Sequence, residues 1–365
     1  MLKIKARKVA LLRVFGNITV ATFLSYRFQE FRLRYITPRR RSIIGIPLPC
    51  GRKVGKIDTQ HQIIPPAYLN YITERSEVGK VLQSPDWSPE LSLSFMAQNS
   101  ISTSILSFAY APLHESTLCQ EINTYAYKLR LQYPTKFGFF ATLPSIDEAS
   151  IPEVLSCIKF CYENLDADGV TLFTSYEGKY LGEEVFWPVF EELNRLHAVI
   201  FIYPITNSAM PTTLTDSSIP QMVDLAHEIT RTACSLICSN TMSIYPNLKM
   251  ILSHSGGTLP YVNGGIEGSV NKSAADVRRE ARLFYASSMD TNNADMEITE
   301  SFFGSERMMC GSNFPFGEVR NNLRKGEILR RLMHESEARS TQAMKEATLK
   351  LFPRLQQELE KGYQT

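Results

Sequence analysis

From Val54 to about residue 355, short apolar runs alternate with amphipathic stretches, and this alternation restricts the fold more than any other feature of the chain. The runs are VGKID, ISTSILSFA, KFGFFATLP, DGVTLFT, AVIFIYP, LKMILSHSG and ERMMCGSNFPF. Between them lie PPAYLNYITERSEVGKVL, WSPELSLSFMAQNS, STLCQEINTYAYKLRLQYP, ASIPEVLSCIKFCYENLDA, EEVFWPVFEELNRLH, QMVDLAHEITRTACSLICSNTMSIYP and SAADVRREARLFYA, all with apolar residues at helical spacing. Strands that each feed a helix pair in parallel, because a parallel connection needs a crossover long enough to hold one. Helices then cover the sheet. The span suits a closed (β/α)8 barrel better than an open doubly wound sheet, and chemistry is then expected at the C-terminal ends of the strands. Neither a Walker loop nor a GxGxxG turn interrupts the pattern.

Polar residues stand at several of those strand ends. Gln60 and Gln62 are alternate residues of the first run and share a face, whereas His61 between them points to the other. Tyr203 closes FIYP, His254 follows ILS, and Asn313 lies in CGSNFPF. Singly, each reads as a satisfied structural group; together they would converge on one barrel mouth. Arg231, in the helix before His254, is either a partner for a substrate carboxylate or half of a surface ion pair. Trp87 borders the pocket or packs in the core, and His114, after FAYAPL, is a candidate second histidine of the mouth. Tyr176, Glu177 and Lys179 occupy a strand-exit loop, and His197, His227 and His334 sit in helical surroundings as packing or surface residues.

The stretches KIDTQHQIIPPAYL, GFFATLP, DGVTLFTSYEGKYLGEEVFWPVFEELN, ILSHSGGTLPY and CGSNFPF follow one another as successive signatures. From about Gly55 to Pro353 the chain resembles the amidohydrolase-related decarboxylases. The resemblance implies a (β/α)8 TIM barrel of the metal-dependent hydrolase type, assembled as a homodimer. It also implies a divalent metal, usually zinc, held by His-x-His on the first strand, a His on a middle strand and an Asp on the last. Those positions fall here on Gln60, Gln62, Tyr203 and Asn313, so all four ligands are replaced. The family's acid/base histidine, before the Gly-Gly turn, is retained as His254. Amide oxygens are weaker donors than imidazole and carry no charge, and a phenol near its ordinary pKa of about 10 is no better. No metal and no other cofactor is therefore expected.

Each replacement nevertheless keeps a sizeable hydrogen-bonding group. One expectation is a metal-independent lyase or cyclase acting on a phenolic or polyketide-like small molecule. There His254 and Tyr203 do the chemistry, while Gln60, Gln62, Asn313, Arg231, Trp87 and His114 hold the substrate. Proton transfer beside a carbonyl, dehydration, ring closure and loss of carboxylate all suit such equipment. Two alternatives stay open: an aromatic-acid decarboxylase still working as such, with or without metal through other ligands, and a non-catalytic binding homologue. Ser255-Gly256-Gly257 are expected to leave the backbone open to a close-approaching substrate.

Composition closes off other classes. A net charge of +2 gives no general basic field for nucleic acid. Two parts are expected, a basic N-terminal extension over 1–50 and the barrel over 51–365. Residues 1–41 hold eleven Lys or Arg against one acid, Glu30, and the apolar run VALLRVFGNITVATFLSY carries Arg13 inside it, which suits a membrane span poorly. The extension reads as a peripheral arm, a targeting peptide or a membrane-surface contact. Seven cysteines without a CxxC pair fit a reducing, cytoplasmic setting, with Cys157, Cys161, Cys234 and Cys238 packing on helix faces.

Overall fold

In the computed structural model, which describes residues 55–75, 85–205, 218–266, 272–288, 293–316 and 337–362, the strand–helix alternation closes on itself. The barrel strands are β1 (Lys56–Gln62), β2 (Ile101–Ser107), β3 (Phe137–Thr142), β4 (Gly169–Phe173), β5 (Val199–Tyr203), β6 (Lys249–Leu252), β7 (Tyr285–Ser288) and β8 (Met308–Cys310). Neighbours in sequence are neighbours in the barrel, and β8 pairs back onto β1 through Asp58 and Cys310. Every pairing in the ring is parallel. The basic extension and His334 lie outside the described residues. No described helix is long and apolar enough to cross a membrane.

One strand of the barrel is not marked as such in the sequence. SAADVRREARLFYA is helical only over Ala274–Ala281, and its tail is the start of β7. The helix ends at Arg282, and the aromatic and small residues Tyr285-Ala286-Ser287-Ser288 then fit the pleated, buried slot between β6 and β8. The exit of β4 adds a tight hairpin, Ser175–Tyr176 against Lys179–Tyr180. Its turn residues Glu177 and Gly178 have φ of 49° and 78°, the left-handed pair that a two-residue hairpin needs. Tyr176 is buried there, its hydroxyl accepting from Phe173 N at 3.1 Å.

Inside the barrel Phe140 stacks on Phe201 at 5.5 Å with the rings 9° apart. They meet over Gly169, where a Cβ would run into Val199 O and lie 3.0 Å from the Phe140 ring. Phe352, between the helices Glu337–Leu351 and Pro353–Gly362, packs on Phe140 at 5.9 Å. Asp168, just before β4, ties down this C-terminal segment. Arg354 donates to it through Nε and Nη2, both at 2.8 Å, and Phe139 N adds a third bond at 2.9 Å. The Arg130 guanidinium stands 4.0 Å away. Cys119, Cys157 and Cys161 are buried and pack near Asn123 and Thr142, whereas Cys238 is exposed.

Asp168 is 2% exposed, so removing its carboxylate strands two guanidiniums in a poorly solvated place. Asp168→Ala is expected to lower the free energy of unfolding by about 3–5 kcal/mol, read by urea denaturation. A loss below about 1 kcal/mol would show that the clamp contributes no more than a surface pair does.

Candidate active site

The mouth is assembled where β1 and the exit of β8 meet. Asp58, fully buried, accepts from Gln60 N (3.1 Å), Ser312 N (3.0 Å) and Ser312 Oγ (2.5 Å), with His61 Nδ1 3.0 Å away. The other ring nitrogen of His61 lies 3.0 Å from Ser92 Oγ, and the ring stacks on Phe314 at 4.8 Å. His61 therefore points away from the barrel axis, as strand alternation requires. Backbone bonds extend the seam: Asn313 N donates to Gln60 O at 2.8 Å and Gln62 N to Phe314 O at 2.7 Å.

On the inner side of that seam the polar strand-end residues come together. Gln60 Nε2 donates to Asn313 Oδ1 at 3.2 Å, and the Tyr203 hydroxyl reaches the same oxygen at 3.5 Å. Ser287 Oγ donates to Gln60 Oε1 at 3.1 Å, and Ser107 Oγ to Gln62 Oε1 at 3.1 Å. The rings of Tyr203 and His254 are 6.1 Å apart. Gln60, Tyr203, His254 and Asn313 thus share one cluster, with Gln62 anchored beside it on β2. The bonds have a consistent sense: the carbonyl oxygens of all three amides are already accepting. What remains is donor, Gln62 Nε2, which is buried with no hydrogen-bond partner among the described residues, and Asn313 Nδ2. Such a surface suits a carbonyl, phenolate or carboxylate oxygen.

His254 sits on an unusual turn. His254, Ser255, Gly256 and Gly257 have φ of 49°, 57°, 76° and 64°, four left-handed residues in succession. Gly256 N bonds Ser253 O at 3.0 Å and Gly257 N bonds His254 O at 2.8 Å. Two of the four carry side chains, at roughly 1–2 kcal/mol each, a cost that persists only when surrounding structure imposes it. The surroundings are tight. A Cβ on Gly256 would lie 2.6 Å from the Phe303 ring, and one on Gly257 would run into Ala226 O and Thr230 Oγ1. The glycines therefore do not serve substrate approach, as their sequence suggested. They let a helix and a phenylalanine press the turn into shape from behind. Asn313, at φ 51°, is likewise left-handed, so both inward groups leave their strands by a sharp backbone reversal.

The donor set does not fit the divalent metal that the family resemblance implies. Its oxygens are neutral and engaged by Ser287, Ser107, Gln60 and Tyr203. A zinc-type ion is held by carboxylate, imidazole or thiolate donors, and neutral amide oxygens bring no charge to offset the ion's. Asp58 faces the seam, and the nearby Cys310 thiol is pushed up to about 12 by burial and, secondarily, by Asp58. Among the described residues no group of three His, Cys, Asp or Glu could hold a metal ion.

Three residues expected near the substrate take no part in the hydrogen bonds and ring contacts described for this cluster. Arg231 is 56% exposed, 4.0 Å from the buried Glu228 and 3.4 Å from the Tyr180 hydroxyl, so its charge is engaged on the outer side of the helix Ser218–Cys238. Trp87 packs edge-on against Tyr125 at 6.2 Å, and His114 is exposed in the loop before the helix Ser116–Gln132. Conversely, Ser107, Ser287 and Asp58 went unnoticed in the sequence. Ser287 lies on the strand read as helix, and Ser107 and Asp58 matter only through register, which pairs Gln62 with Ser107 and Asp58 with Cys310.

Comparison with known proteins gives a consistent relationship. The amidohydrolase family model matches residues 57–353. The decarboxylase yanB of Aspergillus niger is 36% identical over 327 residues, 83% of this chain and 89% of that protein. The 6-methylsalicylic acid decarboxylase acuB of Aspergillus aculeatus is 31% identical over 82% of this chain and 96% of its own length. Among solved structures, the dihydroxybenzoic acid decarboxylase of Polaromonas sp. JS666, with bound manganese and 2-nitroresorcinol, superposes with a TM-score of 0.65. It is 18% identical, covers 82% of this chain and 97% of that one, and attests the fold.

Gly257 is the sharpest test of the turn, because alanine there meets both a left-handed φ and a backbone carbonyl. Gly257→Ala is expected to destabilise the protein by about 2–4 kcal/mol and to displace the His254 imidazole resonances. Unchanged stability and an unmoved His254 signal would show that nothing holds the turn from behind.

Proposed function

The chain belongs to the amidohydrolase family, and on that premise we propose that it is a carbon–carbon lyase that decarboxylates a hydroxylated aromatic acid without a bound metal. The observation that carries this reading is His254, held half-buried on its forced turn with its ring 6.1 Å from that of Tyr203, in a neutral cluster whose amide carbonyl oxygens are already accepting. Relatives named decarboxylases, two of them for 6-methylsalicylic acid, favour loss of carboxylate over the dehydration or ring closure that the same groups would suit.

In the proposed reaction His254, as imidazolium, gives a proton to the ring carbon that bears the carboxylate. That carbon becomes tetrahedral, and an ortho or para hydroxyl feeds electron density into the ring. The bond from the ring to the carboxylate then breaks, its electron pair restores aromaticity, and carbon dioxide leaves. One proton is consumed, and His254 recovers it from solvent. A histidine, with an ordinary pKa near 6.5, exchanges protons readily at neutral pH. Asn313 Nδ2 and the Tyr203 hydroxyl orient the phenolic oxygen. Gln60, itself held by Ser287, engages the Asn313 carbonyl oxygen and leaves Nδ2 as donor, and Ser107 does the same for Gln62.

A second reading has its own support. Gln60 and Gln62 are fully buried, and the Gln60 amide is bonded to that of Asn313 at 3.2 Å. This is what a non-catalytic homologue that has closed its old site would show.

Carbon dioxide release from hydroxybenzoic acids, with 6-methylsalicylate and 2,6-dihydroxybenzoate among them, separates the two. Turnover is expected for at least one acid, and His254→Asn should reduce it by about 10²–10⁴-fold with little effect on substrate binding. Equal turnover in the variant moves the acid/base role elsewhere. No release from any acid, with ligands still bound, hands the assignment to the non-catalytic reading.

A further inference from the structure

His61 is fully buried, and the proposed reaction gives it no role. Among the described residues the other histidines are exposed or half-buried. Both ring nitrogens of His61 are engaged, Nδ1 with Asp58 Oδ2 and Nε2 with Ser92 Oγ, each at 3.0 Å. A carboxylate oxygen only accepts, so the bond to Asp58 is a donation from Nδ1. The Ser92 hydroxyl both donates and accepts, and so suits either state of Nε2. The ring itself is clamped. It stacks on Phe314 at 4.8 Å and meets Phe95 at 6.1 Å, while Phe95 and Phe314 lie 4.5 Å apart. Ser92 and Phe95 are one turn apart on the helix Pro89–Gln98, whose start is capped by Ser88 Oγ accepting from Leu91 N at 3.1 Å. Packing under that helix asks only for an apolar side chain, and two aimed hydrogen bonds are more than packing requires.

These contacts reach Asn313 from both of its neighbours. On one side, Asp58 takes Ser312 Oγ at 2.5 Å on the same oxygen that His61 engages, and Ser312 N at 3.0 Å on the other. On the other side, Phe314 carries the ring stacked on His61, and its N donates to Ser312 Oγ at 3.1 Å. Asn313 between them has φ 51°, a conformation that a residue with a side chain keeps only where its surroundings impose it. We propose that His61 is a positioning residue for the reaction: through Asp58 and Phe314 it holds both flanks of Asn313 and so fixes where the Asn313 Nδ2 donor stands. A side chain that points away from the mouth thereby controls a group within it. Misplacing such a group by ~1 Å is enough to slow a reaction about 100-fold. The consequence for turnover rests on the decarboxylase reading; the hold on Asn313 does not.

Two substitutions separate the two ring nitrogens, because an asparagine amide ends where Nδ1 stands and a glutamine amide where Nε2 stands. His61→Asn keeps a donor for Asp58, His61→Gln keeps one for Ser92, and both give up the ring stack. The readouts on the full chain are the side-chain amide resonances of isotope-labelled Asn313, kcat and KM for carbon dioxide release, and stability in urea. Expected in His61→Gln are a displaced Asn313 amide signal and a kcat lowered ~10–100-fold, with KM within about 3-fold of wild type. His61→Asn, destabilised to the same degree, should bring kcat back to within about 5-fold of wild type and return the Asn313 signal towards its original position. Equal loss of kcat in the two variants, or loss in neither, would leave His61 a packing residue and overturn the proposal. So would an Asn313 signal unmoved in His61→Gln. If the wild type releases no carbon dioxide from any acid, the decarboxylase reading fails, and the Asn313 signal alone decides whether His61 holds that residue. Should both variants fail to fold, Ser312→Ala carries the test, since it breaks the same path at a single hydroxyl. A shifted Asn313 signal with lowered kcat then supports the path, and an unshifted signal overturns it.

Discussion

The carboxylate of Asp58 is the point on which the mouth of this barrel hangs. Burying a charge costs several kcal/mol unless donors surround it, and here backbone, hydroxyl and imidazole groups all converge on the same two oxygens. The donors come from both strands that close the ring. Gln60 N and His61 belong to β1, and both groups of Ser312 belong to the exit of β8. One side chain thereby sets the relation of Gln60 and Gln62 to Asn313, and the backbone bonds between Asn313 and Gln60 and between Phe314 and Gln62 follow that register. Closure of the barrel and construction of the site are the same event.

What the seam positions is a neutral network with a direction. Serine hydroxyls and amide N–H groups satisfy the carbonyl oxygens, and Gln62 Nε2 and Asn313 Nδ2 are left as donors. On the proposed reading these donors receive an oxyanion. That preference follows from the identity of the partner residues as much as from the amides themselves. Ser287 and Ser107 determine which end of each glutamine is engaged.

Much of this was legible in the sequence, for identifiable reasons. Strand–helix alternation gave seven of the strands, and the polar strand ends gave Gln60, Tyr203, His254 and Asn313, because strand termini of a parallel barrel converge whatever the loops do. Tyr285–Ser288 was missed because Leu283 and Phe284 carry the preceding helix's apolar spacing on into the strand. The contacts of Arg231, Trp87 and His114 depend on tertiary packing, which the sequence does not display. Arg231 lies 4.0 Å from the buried Glu228, Trp87 leans on Tyr125, and His114 is exposed. The glycines after His254 were legible as a sharp turn. Their crowding against Ala226 and Phe303 comes from helices distant in sequence and could not be read from the turn itself.

Chemistry through a neutral cluster around His254 with no metal can be checked by measuring metal content and carbon dioxide release on one sample, before and after exhaustive chelation. Expected are substoichiometric zinc and manganese throughout, and turnover of the accepted hydroxybenzoic acid that neither chelation nor added metal changes. One tightly bound metal per chain, with activity lost on its removal and restored on its return, would contradict it.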